Sequence, residues 1–208
     1  VVFVVVYMTF FGYKIVPFNR QRGVFHVSFM PCYPPVYDKD VLNSGSFRDN
    51  KDLAKVFFEE IAKGIGSKSH ILICCFALPR EDWEAKFIKD TKEFPIFFPA
   101  DIFCSFELAF PDTFVEQIKR ADIIFLHGGD DHLVQYWLKK FDLPTLWKDK
   151  IVVTSSASSH ALSRSFWTCD WRRCLDGLGI LPIKFLAHYK SSYGNDDPRG
   201  PINWEQAR

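Results

Sequence analysis

The stretch Lys150-Ile151-Val152-Val153-Thr154-Ser155-Ser156-Ala157-Ser158-Ser159-His160 sets an apolar run against a turn of small residues. The run Lys150–Val153 reads as a strand, and the small residues after it open a helix. An apolar run without polar alternation is the pattern of a strand buried on both faces. The same order recurs outward along the chain. His70–Leu78 is a longer apolar run without alternation. Pro79 and Arg80 then open a helical stretch over Glu81–Glu93 that carries Trp83, Phe87 and Ile88. Val41–Asn43 and Ser44-Gly45-Ser46 read as a strand and its turn. Asp49 or Asn50 can cap a helix through Ile65, with Leu53, Val56, Phe57, Ile61 and Ile65 on one face and Gly64 and Gly66 as its stop. Ile96–Phe98 between prolines predicts a short strand, Asp112–Arg120 a helix, Asp122–Leu126 a strand, Asp130–Phe141 a helix and Ile183–Ala187 a further strand. Strands alternating with helices predict an α/β protein with a parallel sheet covered on both faces.

Composition narrows the function classes. The 208 residues carry 26 basic and 25 acidic side chains, a net charge of +1, which argues against a nucleic-acid partner. With 48% hydrophobic and 25% charged residues, the chain is neither disordered nor collagen-like. Its 22 Phe read as core filler before they read as a stacking surface. The six Cys show no CxxC pair and no zinc-finger spacing, which favours free thiols and a reducing, cytoplasmic location. The carboxylates, Asp196-Asp197 included, show no metal-ligand spacing, so neither a metal nor a cofactor is expected. Val1–Tyr13 is apolar but shorter than the roughly 20 residues that span a bilayer, and no signal peptide is evident. The segment Phe29–Asp40, with three Pro, reads as linker. The chain opens on Val, and residues 1–40 are expected to be an extension outside the domain.

In parallel α/β sheets, ligands bind beyond the carboxyl ends of the strands. Three such ends carry reactive or permissive residues: His127-Gly128-Gly129-Asp130, Thr154–Ser159 and His188-Tyr189. A strand, a tight small-residue turn and a helix form a nucleophile elbow, which exposes a hydroxyl and aims the next backbone N–H at a developing oxyanion. Ser156 is the candidate nucleophile, and a Ser-rich helix cap is the alternative reading. Gly128-Gly129 allows close backbone approach, either for an oxyanion donor or for a plain turn capped by Asp130. The missing third Gly argues against a dinucleotide loop. A Ser nucleophile needs a base, and the base needs an orienting acid. Among His26, His70, His127, His132, His160 and His188, the last lies at a strand end that a neighbouring parallel strand would bring beside the elbow. His160, four residues past Ser156, is expected to point away from it. Asp170 lies between Ser156 and His188, giving the chain order Ser, Asp, His.

Taken with Asp176-Gly177-Leu178-Gly179-Ile180-Leu181-Pro182 and Ala187-His188-Tyr189, these motifs resemble the peptidase E (alpha-aspartyl dipeptidase) and cyanophycinase family of serine peptidases. The resemblance spans about residues 41–208. It implies a three-layer α/β sandwich with a mostly parallel doubly wound sheet, of the class I glutamine amidotransferase-like type. It implies Ser156 as nucleophile, His188 as base, Asp170 as the acid orienting it, and the N–H groups of Gly129 and Ala157 as oxyanion donors. Asp130 and Arg172 are candidate substrate contacts; solvated surface charge is the alternative for Arg172. The expected substrate is a small peptide or amide, and the expected state a monomer or homodimer without membrane or nucleic-acid partners. The family's turn is GxSAG, whereas this chain has Thr154-Ser155-Ser156-Ala157-Ser158, with Ser155 as an adjacent alternative nucleophile. The family continues past the position of Arg208, so a truncated C-terminus is expected. Two other functions stay open: an inactive relative that binds a small ligand or partner, and an amidotransferase-like subunit using a Cys.

Overall fold

The computed structural model describes residues 51–188 and 196–204, with the backbone of Lys39–Asn43 and of two-residue pairings at 13–14 with 28–29 and at 17–18 with 24–25. The caps expected at Asp49 or Asn50 and most of the extension expected over residues 1–40 lie outside the described residues. The main sheet is parallel throughout. Its strands are β1 (Lys39–Asn43), β2 (Lys68–Cys74), β3 (Phe103–Leu108), β4 (Ile123–Leu126) and β5 (Ile151–Ser155), in the spatial order β1-β5-β4-β2-β3. The helices between them are α1 (Lys51–Ala62), α2 (Trp83–Phe97), α3 (Phe114–Arg120), α4 (Asp131–Leu138) and α5 (Leu143–Leu146). After β5 come α6 (Ala157–Leu162) and a second, three-stranded sheet of β6 (Ser163–Thr168), β7 (Arg173–Asp176) and β8 (Leu181–Leu186). No helix among the described residues is long and apolar enough to cross a membrane.

Burial explains the central strands. Ile123, Ile124, Phe125 and Leu126 of β4 are all inaccessible, as are Val152 and Val153 of β5, so apolar side chains cover both faces of the sheet. Phe125 meets Phe57 of α1 and Phe94 of α2, with ring centroids 6.5 and 4.8 Å away. Phe76, just beyond β2, instead meets Phe114 of α3 at 5.0 Å and Trp137 of α4 at 5.9 Å. Among the described residues these rings fill the core, whereas Phe103, Tyr136 and Trp171 are exposed.

Two expectations fail. Ile96–Phe98 is not a strand: α2 runs through Pro95 to Phe97, and the missing proline N–H is tolerated in the last turn. The sheet edge comes instead from β3, Phe103–Leu108, whose residues near the free edge are half-buried or exposed. Nor is His188 on a main-sheet neighbour of β5. It follows β8, which pairs in parallel with β6 in the second sheet. The hairpin of β6 and β7 is a further element that the sequence pattern does not announce.

Phe125→Ala should lower unfolding free energy by about 3–5 kcal/mol in a denaturant titration, because it empties the junction of α1, α2 and β4. Ile96→Ala, at a position 76% exposed, should change it by less than about 0.5 kcal/mol.

Candidate active site

The spatial order places β2 and β4 on either side of a reversal in strand order, and β5 beside β4. Register pairs Leu126 with Thr154, so His127–Gly129 and Ser155–Ser156 leave the sheet side by side. Gly128 is there because nothing larger fits: a Cβ would lie 2.7 Å from the Ser155 carbonyl oxygen and 3.0 Å from Ser156 Cβ. Gly129 has φ +151°, and a Cβ there would lie 2.2 Å from the Ala77 carbonyl oxygen. The next residue locks this corner, since the Asp130 N–H donates to that same carbonyl at 2.7 Å.

Ser156 turns the chain from β5 into α6 with φ 51° and ψ −111°, a region that costs a residue with a Cβ about 1–3 kcal/mol. Its Oγ lies 3.1 Å from His188 Nε2. His188 itself has φ 57°. Both partners of the contact are therefore held on strained backbone.

Buried hydroxyls brace this turn. Ser158 is buried, accepts the Ser155 N–H at 2.8 Å and donates to the Leu126 carbonyl at 2.7 Å. It ties the elbow to the end of β4. Thr154, also buried, shares a 2.7 Å hydrogen bond with Ser159. Polar side chains that would otherwise be buried unsatisfied thus brace the turn from behind.

Parallel pairing of β6 and β8 matches Trp167 with Leu186, which brings the residues following both strands to one end. Asp170 follows β6 and His188 follows β8. Burial, the largest cause, pushes His188 down from 6.5 to about 4, and the charges of Asp170 and Asp131 push back. Asp170 is exposed, and its carbonyl accepts from Arg199 at 2.8 Å. The structure therefore brings Ser156 and His188 into contact, and Asp170 acts on His188 through its charge.

The remaining candidates have defined partners. Asp130 caps α4, its carboxylate accepting the N–H groups of His132 and Leu133 at 2.7 and 2.8 Å. Arg172 donates to the carbonyls of Arg199 and Gly200 and lies 3.7 Å from the Asp197 carboxylate. Ala157 begins α6 directly after Ser156.

Two buried carboxylate–imidazole pairs were not legible in the sequence. Asp90 meets His127 and Lys86, each at 2.5 Å, under the glycine corner. Burial alone would raise the Asp90 pKa, but hydrogen bonds from His127 and Lys86 hold it below the usual carboxylate range. Asp131 meets His160 at 2.8 Å on the other side. Neither pair has a spacing signal, since their members lie 37 and 29 residues apart.

Burial pushes the Cys75 and Cys169 thiols up to about 12 and Cys104 to about 11, and raises Cys74 as well. None of these four is a thiolate near neutral pH. No group of three or more His, Cys, Asp or Glu side chains among the described residues is arranged to hold a metal ion.

No family model matches the sequence, and no curated protein matches it. A solved peptidase from an acI-B1 actinobacterium is similar in structure, with a TM-score of 0.50 over 73% of this chain and 68% of its own, at 19% identity. At that identity the likeness is one of fold alone: the chain shares an α/β fold with that protein.

An NMR titration of the His188 imidazole should show a midpoint near pH 4; a midpoint at 6.5 would contradict the burial argument. The unfolded chain binds a proton at this site below about pH 6.5 that the folded chain refuses until about pH 4. Folding stability should therefore fall as pH drops across that interval, and His188→Asn should remove this contribution. Gly129→Ala should destabilise by more than about 1 kcal/mol in denaturant, since its Cβ meets backbone that cannot move aside.

Proposed function

We propose that the chain is a serine-type hydrolase of small peptide or amide bonds, related to the peptidase E and cyanophycinase enzymes and to the class I glutamine amidotransferase-like fold. The observation that carries this reading is the 3.1 Å contact between Ser156 Oγ, on its positive-φ corner, and His188 Nε2. A nucleophile needs a base within about 2.6–3.2 Å, and this pair satisfies that requirement without substrate.

In this mechanism the Ser156 hydroxyl donates to the neutral Nε2 of His188. As Oγ attacks the carbonyl carbon, its proton passes to His188. The oxyanion is met by the backbone N–H groups of Gly129 and Ala157, one from each strand end; such donors are each worth roughly 3–4 kcal/mol of barrier. His188 then gives its proton to the leaving amine, and water repeats the cycle to free the acid. The negative charge of Asp170 stabilises the imidazolium that forms in each half. A base with its pKa near 4 is neutral, and so able to accept a proton, across the whole neutral and mildly acid range. The raised pKa of Cys74, Cys75 and Cys169 argues against an attack on glutamine by any of these three thiols.

Ser156→Ala should reduce hydrolysis of an Asp-Xaa dipeptide or a reporter amide by at least about 10³-fold with thermal stability retained. Hydrolysis at the wild-type rate would remove Ser156 from the mechanism. The wild-type kcat/KM should keep its acidic limb near pH 4 rather than above 6.

A further inference from the structure

His160 lies on α6, one turn past Ser156, and is only 4% exposed. Its Nδ1 lies 2.8 Å from a carboxylate oxygen of Asp131, itself 8% exposed at the start of α4. Its Nε2 accepts the backbone N–H of Ala187 at 3.3 Å. That acceptor role fixes the tautomer: Nε2 is unprotonated, and the ring proton sits on Nδ1 and donates to Asp131. The ring is clamped as well as bonded. It stacks on Phe166 of β6 with centroids 4.4 Å apart and 13° between planes, and meets Phe185 of β8 edge-on at 5.8 Å.

Ala187 immediately precedes His188, whose backbone is held at φ 57°. The strand β8 ends at Leu186, so ladder hydrogen bonds do not fix this strained step. A side chain from the nucleophile's own helix does. We infer that His160, oriented by Asp131, is the positioning residue that holds the Ala187–His188 backbone so that the imidazole of His188 meets Ser156. The pair connects α4, α6 and the end of β8, and couples the helix that begins at the nucleophile to the loop that carries the base. His160 touches no reacting atom and acts through the peptide before His188. This role rests on the serine-hydrolase reading, but the geometry it predicts does not.

The first test needs no variant. Nitrogen-15 NMR of the histidine rings in the wild-type protein should show His160 neutral and protonated on Nδ1 at pH 7. A His160 protonated on Nε2, or charged, would overturn the inference, because the Ala187 N–H would then have no acceptor. The second test compares His160→Gln, which keeps an acceptor for that N–H, with His160→Phe, which keeps the stacking but has none. On a reporter amide, His160→Phe should lose about 100-fold in kcat with little change in KM, since a misplacement near 1 Å has that effect. His160→Gln should retain kcat to within about fivefold of wild type. Equal kcat for wild type and His160→Phe, or no rescue by Gln at matched thermal stability, would overturn it. A crystal structure of His160→Phe should show Ser156 Oγ and His188 Nε2 moved apart beyond hydrogen-bond distance; a separation still at 3.1 Å would contradict the inference. A wild-type protein without amidase activity would sink the hydrolase reading; the NMR and crystallographic results would still decide the role of His160.

Discussion

The hydrogen bond between Ser156 Oγ and His188 Nε2 joins two sheets that share no strand pairing. Ser156 belongs to the corner after β5 in the main sheet, and His188 to the loop after β8 in the second. Each sits on backbone that a residue with a Cβ rarely adopts, at φ 51° and 57°. Such strain persists only where surrounding structure over-determines it. Here α6 supplies that constraint: it starts at the elbow and packs on β5, β6, β8 and α4. The site is thus a seam between sheets, closed by one short helix whose six residues are all buried.

The elbow shows how a turn can dispense with glycine. Side chains flanking a nucleophile corner normally collide with the neighbouring strand. In this chain Ser158 reaches behind the corner to the end of β4, and Thr154 turns inward to Ser159. The crowding is relieved on the β4 side, where Gly128 leaves the room that the corner needs. The demand for small residues has moved from one strand to its neighbour.

The α/β class and the central strands were legible because burial on both faces leaves continuous apolar runs such as Ile123–Leu126 and Ile151–Val153. Ser156, His188, Gly128 and Gly129 stood out because strand ends are where parallel sheets bind ligands. The edge strand was not legible: Phe103–Leu108 is half-exposed and carries Ser105 and Glu107, while Ile96–Phe98 offered a stronger apolar signal that the end of α2 absorbs. The second sheet was hidden for a different reason. Its pairing of β6 with β8 skips over β7, and long-range register leaves no local trace. The pairs Asp90–His127 and Asp131–His160 were hidden likewise, since a buried polar side chain declares itself only through its partner.

The central claim is that the Ser156 hydroxyl is a nucleophile activated by His188. Treatment of the folded protein with a fluorophosphonate, followed by peptide mapping in a mass spectrometer, tests it most directly. The account predicts a single covalent adduct on Ser156 that His188→Ala suppresses. An unmodified Ser156, or an adduct on Ser155 or elsewhere that survives loss of His188, would contradict it.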